Sequence, residues 1–256
     1  MIQTTQSHET QSRLGLFRSP GVTVARLTLA SYLRSGWMWG EFVLVLVFLA
    51  ALFFPYQEST AYFNGTSIFS LSALAILGPA IMVRQATSAR TYLLLARLTS
   101  RAAYSRGLML AAAALRLPLY LLLLALVLLL HRLTDPGVGP LFWGMLGIVP
   151  ATMLVAVLTV GLCSPMATRL KRIVFLCWVT VMLFSFRPII PIPHWLDLAL
   201  SVTQLPLWPL QVCYTLSFTG NFDLLTLLGF ALLIVYAVLI ALVAGNWLEK
   251  RELLFH

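Results

Sequence analysis

LMLAAAALRLPLYLLLLALVLLL, residues 108–130, is an unbroken apolar run carrying one charge, Arg116. A helix of about 20 residues crosses a hydrocarbon core of about 30 Å, so this stretch is long enough to span a bilayer. Similar runs recur at 36–54, 66–83, 141–162, 173–186 and 224–244. The chain has 256 residues, of which 60% are hydrophobic and 10% charged, and its mean hydropathy is +0.93. That composition excludes a soluble globular domain. The predicted fold is an all-α integral membrane protein with six transmembrane helices in a single domain, residues 20–256.

Charge decides the orientation. Seventeen Lys and Arg residues give a formal net charge of +9 and a pI near 10.0. They fall in short segments between the apolar runs, not on one soluble face, which argues against nucleic acid as a partner. Counted by segment, fourteen lie on one side of the predicted spans and only Arg132 and Arg187 on the other, with Arg116 inside the third span. Cytoplasmic loops carry the excess of Lys and Arg. The expected location is a bacterial cytoplasmic (inner) membrane, multi-pass, with both termini in the cytoplasm. No apolar signal segment is read in residues 1–19, a predicted cytoplasmic tail, so the first span is expected to act as the targeting signal.

Between these ends the segments have distinct characters. VTVARLTLASYLRSGW, residues 22–37, mixes Arg with apolar residues and precedes Trp39, the pattern of a helix lying in the membrane interface. PYQESTAYFNG, 55–65, and HRLTDPGVGP, 131–140, read as outer connections. Residues 84–107, RQATSARTYLLLARLTSRAAYSRG, hold five arginines around a Leu triplet. The loop 164–172 is short and basic. Residues 187–223 contain five prolines yet stay apolar and aromatic. Two short re-entrant helices, near HWLDLALSVTQL and PLWPLQVCYTLSF, are predicted there, because irregular backbone at membrane depth must be buried in protein or line a cavity.

The chemistry-bearing motifs are few. Neither Lys171 nor Lys250 sits in a P-loop, and no HExxH or GxSxG occurs. His8, His131, His194 and His256 fall in loops or tails, and Cys163, Cys177 and Cys213 are far apart, so no metal set and no catalytic residue is assigned. Intramembrane carboxylates often mark proton or ion paths. Glu41, about a turn inside the first span, is the only one here, and Arg116 lies near the same depth of the third span. An intramembrane Glu41–Arg116 pair is one reading; a Glu41 side chain at the headgroups is the other.

The segment Thr91-Tyr92-Leu93-Leu94-Leu95-Ala96-Arg97-Leu98-Thr99-Ser100-Arg101, with Tyr104 and Gly107 following, resembles the cytoplasmic coupling segment of ABC-2 type transporter permeases. In that family a Thr precedes an apolar triplet and a Ser-Arg pair. Leu98 and Leu108 stand where Pro and Lys are usual, and Gln85, Ser88 and Arg90 replace acidic residues. The interfacial helix before the first span, the short fifth span with two re-entrant helices, and the Glu249-Lys250-Arg251-Glu252 tail are also similar to that family.

The resemblance implies a permease subunit without cofactors of its own, paired with a second permease copy and driven by a separate ATPase chain that holds ATP and Mg. Thr91, Leu93, Leu94, Leu95, Arg97, Ser100 and Arg101 are then the ATPase-coupling residues. Arg169, Lys171 and Arg172 form a second cytoplasmic contact. The apolar inward faces of the spans favour a lipid-like or amphipathic cargo, and export follows by analogy with the family. The alternative is a non-transporting membrane anchor of a larger complex. On the permease reading, Arg97→Glu or Leu94→Asp is expected to uncouple ATP hydrolysis from transport while the spans stay folded. Substrate-stimulated ATPase activity of the reconstituted complex measures this, and normal stimulation in both variants would sink the docking role.

Overall fold

Pro20 opens the first helix, α1 (Pro20–Arg34), where its missing N–H costs nothing because the first turn has no acceptor for it. The computed structural model describes residues 20–53, 57–86, 101–163 and 205–250. Gly36, at φ +77°, ends the segment in a backbone conformation that a side chain would resist. The chain then leaves at 69° to α1 as α2 (Trp37–Phe53). At 17 residues, or about 26 Å at 1.5 Å per residue, α2 is short for a span by itself.

The remaining helices are α3 (Thr60–Ala86), α4 (Arg101–Ala114), α5 (Arg116–Leu129), α6 (Val138–Cys163), α7 (Trp208–Thr219) and α8 (Leu224–Lys250). A 3-10 turn, Leu205–Leu207, leads into α7. α3 begins at Thr60, not at the predicted Thr66, because the Ser59 hydroxyl accepts the Tyr62 N–H at 3.2 Å and caps the first turn. The polar residues between them were read as loop, but polarity does not break a helix whose N–H groups are satisfied. α4 and α5 form one candidate span, Ala102–Leu129, interrupted at Leu115. Pro118 lacks the N–H that Ala114's carbonyl would accept. Asp223 starts α8 by accepting the Thr226 N–H at 2.9 Å and its hydroxyl at 2.7 Å. These two donors hold the Asp223 carboxyl below the usual carboxylate range.

Among the described residues the chain is all-helical apart from one isolated bridge, Glu58 to Leu133. Among the described residues four helices are long and apolar enough to cross a membrane, or five if the bent α1–α2 pair counts as one. The predicted fifth span, the first re-entrant segment, the 164–172 loop, the N-terminal tail and residues 251–256 lie outside the described residues, whereas Glu249 and Lys250 of the predicted C-terminal tail belong to α8.

The helices sort their charges to two ends. At one end Gln85 on α3 donates to Ser35 beyond α1, and Gly245 on α8 lies against Ala102 and Arg106 on α4. Arg34, Arg84 and Arg106 are at this basic end. At the opposite end Glu58 exchanges backbone hydrogen bonds with Arg132 and Thr134, at 2.9 and 3.0 Å.

α6 is the centre of the bundle. It packs on α3, α4, α7 and α8 and is 67% buried, against 17% for α8, whose long apolar face is left open. Lipid tails are as apolar as Leu, so close contact between backbones, not expulsion of water, holds such helices together. Two glycines provide that contact. A Cβ on Gly144 would collide with the Asn64 amide on α3, and one on Gly147 would strike the Cys213 carbonyl on α7 and lie 3.1 Å from the Ser217 N.

Overpacking of this kind costs about 1–3 kcal/mol. Gly147→Val is therefore expected to lower the thermal unfolding temperature of the detergent-solubilised protein by several degrees, whereas Gly139→Ala, with nothing within 4 Å of the added carbon, should leave it unchanged.

Candidate functional site

The first candidate is buried between α2, α3 and the α4–α5 break. Glu41 lies in the second turn of α2 and is 5% exposed; Arg116 opens α5 and is fully buried. The Arg116 Nη2 atom stands 3.6 Å from Glu41 Oε1. The structure thus places the two side chains in contact. Arg116 is held by its Nε, which donates to the Ala112 carbonyl at 3.2 Å across the break.

The cluster is incompletely satisfied. Among the described residues, neither Glu41 oxygen, neither terminal Arg116 nitrogen, nor the buried Tyr32 hydroxyl on α1 has a hydrogen-bond partner. Two opposite charges about 4 Å apart attract by about 4 kcal/mol at an effective dielectric near 20. Taking each ion out of water costs several kcal/mol, so a pair without hydrogen bonds is a poor source of net stability. Its consequence is positional: each charge is tolerable only while the other is present, so α2 and α5 are tied at this depth.

Gly78 on α3 makes room for the pair. A Cβ there would fall on the Glu41 Oε1 atom and lie 3.2 Å from Arg116 Nη2. Tyr32 and Gly78 were missed from the sequence. Gly78-Pro79 inside an apolar run was the available signal, since a glycine within a helix often marks a close approach.

A second site opens at the end opposite the basic one. A cavity of about 410 Å³ is walled by the first turns of α3 and α6, the loop before α6, and the last turn of α7. Thr60, Asn64, Asp135, Trp143, Ser217 and Phe218 line it. Asn64 holds three of these elements together, donating to the carbonyls of Ser217 at 2.7 Å and Pro140 at 3.4 Å.

The inward faces are also more polar than the sequence reading allowed. Asn64, Ser67, Ser70, Ser72, Thr152, Thr159 and Ser217 are all buried. Helical periodicity turns them inward together, although each is isolated among apolar neighbours in the sequence. Most of their hydroxyls bond carbonyls of their own helix, as Ser70 does with Thr66 at 3.0 Å and Thr152 with Ile148 at 2.9 Å. Ser72 instead meets the Tyr214 hydroxyl of α7 at 3.0 Å.

The coupling residues Thr91, Leu93, Leu94, Leu95, Arg97 and Ser100, and the second contact Arg169, Lys171 and Arg172, lie outside the described residues. Arg101 is the first residue of α4. Among the described residues no cluster of three His, Cys, Asp or Glu is placed to hold a metal. No family model, no curated protein and no solved structure matches the chain.

The ion pair yields a double-mutant expectation. Arg116→Met alone leaves Glu41 buried and unpaired and should destabilise the protein by about 3–5 kcal/mol. Glu41→Leu combined with Arg116→Met should recover most of that loss, read as unfolding temperature and as yield of monodisperse protein. A loss in the double variant equal to the sum of the losses in Arg116→Met and Glu41→Leu alone would show that the two charges do not depend on each other.

Proposed function

We propose that the chain is the membrane-spanning permease subunit of an ATP-driven ABC transporter of the ABC-2 type. It works as a pair of permeases energised by a separate ATPase chain. Six spans place both termini and the basic end in the cytoplasm. There, residues 84–101 dock on the ATPase, and residues 164–172 make a smaller contact.

The observation that carries this reading is the elbow at Gly36. A helix bearing Arg26 and Arg34 at the basic end turns through 69° into the first span, and that span is tied to the third by Glu41 and Arg116. Movement imposed from the basic end would reach the bundle through this connection. The short helix α7, inserted before the last span and packed on α6, supports the same architecture. Buried hydroxyls beside apolar faces suit an amphipathic cargo with a polar head, and export is the direction proposed for it.

The test is affinity purification of the full chain from the membranes of its native host in a mild detergent. A P-loop ATPase chain is expected to copurify in stoichiometric amount, and the complex should hydrolyse ATP. Recovery with redox subunits and no ATPase would overturn the reading and favour a membrane anchor.

A further inference from the structure

We propose that the cavity at the end opposite Arg34, Arg84 and Arg106 binds an ammonium group, carried either by a lipid headgroup or by a free amine. The argument starts from the hydrogen bonds of its wall. Thr60 donates its hydroxyl to the Asp135 carbonyl. Asn64 commits its amide hydrogens to the carbonyls of Ser217 and Pro140. Ser217 donates to Tyr214 at 2.6 Å, and Thr219 to Thr215 at 3.0 Å. These four side chains spend their hydrogens on carbonyls of the fold. A wall whose Thr, Ser and Asn hydrogens are already spent favours a ligand that brings its own N–H groups or positive charge.

Charge and shape agree. The lining holds one carboxylate, Asp135, and no Lys, Arg or His. Trp143 and Phe218 form aromatic walls, and an ammonium over an aromatic face is attracted by the ring's electron density. Trp143 is itself fixed by stacking on Phe222, with centroids 6.1 Å apart. The cavity, at about 410 Å³, is within the size range of small-molecule sites. The first turns of α3 and α6 reach the same space at Ala61 and Gly139, and helix N-termini favour negative charge. A zwitterionic headgroup would therefore set its phosphate against those turns and its ammonium against Asp135. A free amine would use the second half of the site alone.

The proposal needs only the membrane fold and the cavity, and does not rest on the transporter reading. The full chain is reconstituted in nanodiscs of phosphatidylglycerol and titrated with choline and, separately, with glycerophosphocholine. Saturable binding is expected by calorimetry, with a change in tryptophan fluorescence that Trp143→Phe removes. Asp135→Asn, at an exposed position, should weaken binding about tenfold or more without lowering the unfolding temperature. Phosphatidylethanolamine or phosphatidylcholine added to the discs distinguishes the sources. Competition with soluble choline assigns a lipid headgroup; choline binding that persists unchanged assigns a soluble amine. No saturable binding of either probe, or equal affinity in Asp135→Asn, would overturn the proposal.

Discussion

The close approach of α6 to α3 and α7 is the contact on which the rest of the bundle depends. In lipid, apolar surface gains nothing by leaving one hydrocarbon for another, so helix association rests on dispersion contacts and interhelical hydrogen bonds. Both need short distances. Gly144 and Gly147 provide them, lying one turn apart on α6 and facing Asn64 and the Cys213 carbonyl. Asn64 then reaches across to α7 and to the start of α6, joining three helices with one amide.

The Glu41–Arg116 pair serves a different purpose. It ties α2, otherwise sparsely packed, to the break in the third span. Pro118 removes the donor for the Ala114 carbonyl at that break, and the Arg116 guanidinium bonds the Ala112 carbonyl across it. The absent side chain of Gly78 completes the arrangement. A buried pair with unfilled hydrogen-bonding capacity is weak as a source of stability but strong as a constraint on position, since parting the charges leaves each alone in a medium of low dielectric. That is a useful property in an element joining a basic, peripheral helix to the core of a membrane bundle.

Much of the architecture was legible because the bilayer imposes long apolar runs. The runs ending at Ala244 and Leu162 needed only length and hydropathy to be read as helices. Helix starts were less legible. α3 was read from Thr66 because residues before it are polar, yet Ser59 caps the helix at Thr60. The ion pair was visible as two isolated charges at similar depth, and the contact between them required three helices in place. The outer cavity was not visible at all. Its wall joins Asn64, Asp135, Trp143 and Ser217, which are separated by up to 153 residues, and none belongs to a recognisable motif.

By itself, the sequence determined that the chain forms helices apolar enough for a membrane, and it predicted that the basic segments gather at one end. Both follow from solvent physics acting on single segments: a run of some 20 apolar residues cannot remain in water, and Lys and Arg cannot cheaply cross lipid. Only the tertiary structure decided which polar residues turn inward, which glycines permit contact, and which side chains share a cavity. Those outcomes depend on distances between helices, and such distances arise only when the segments pack.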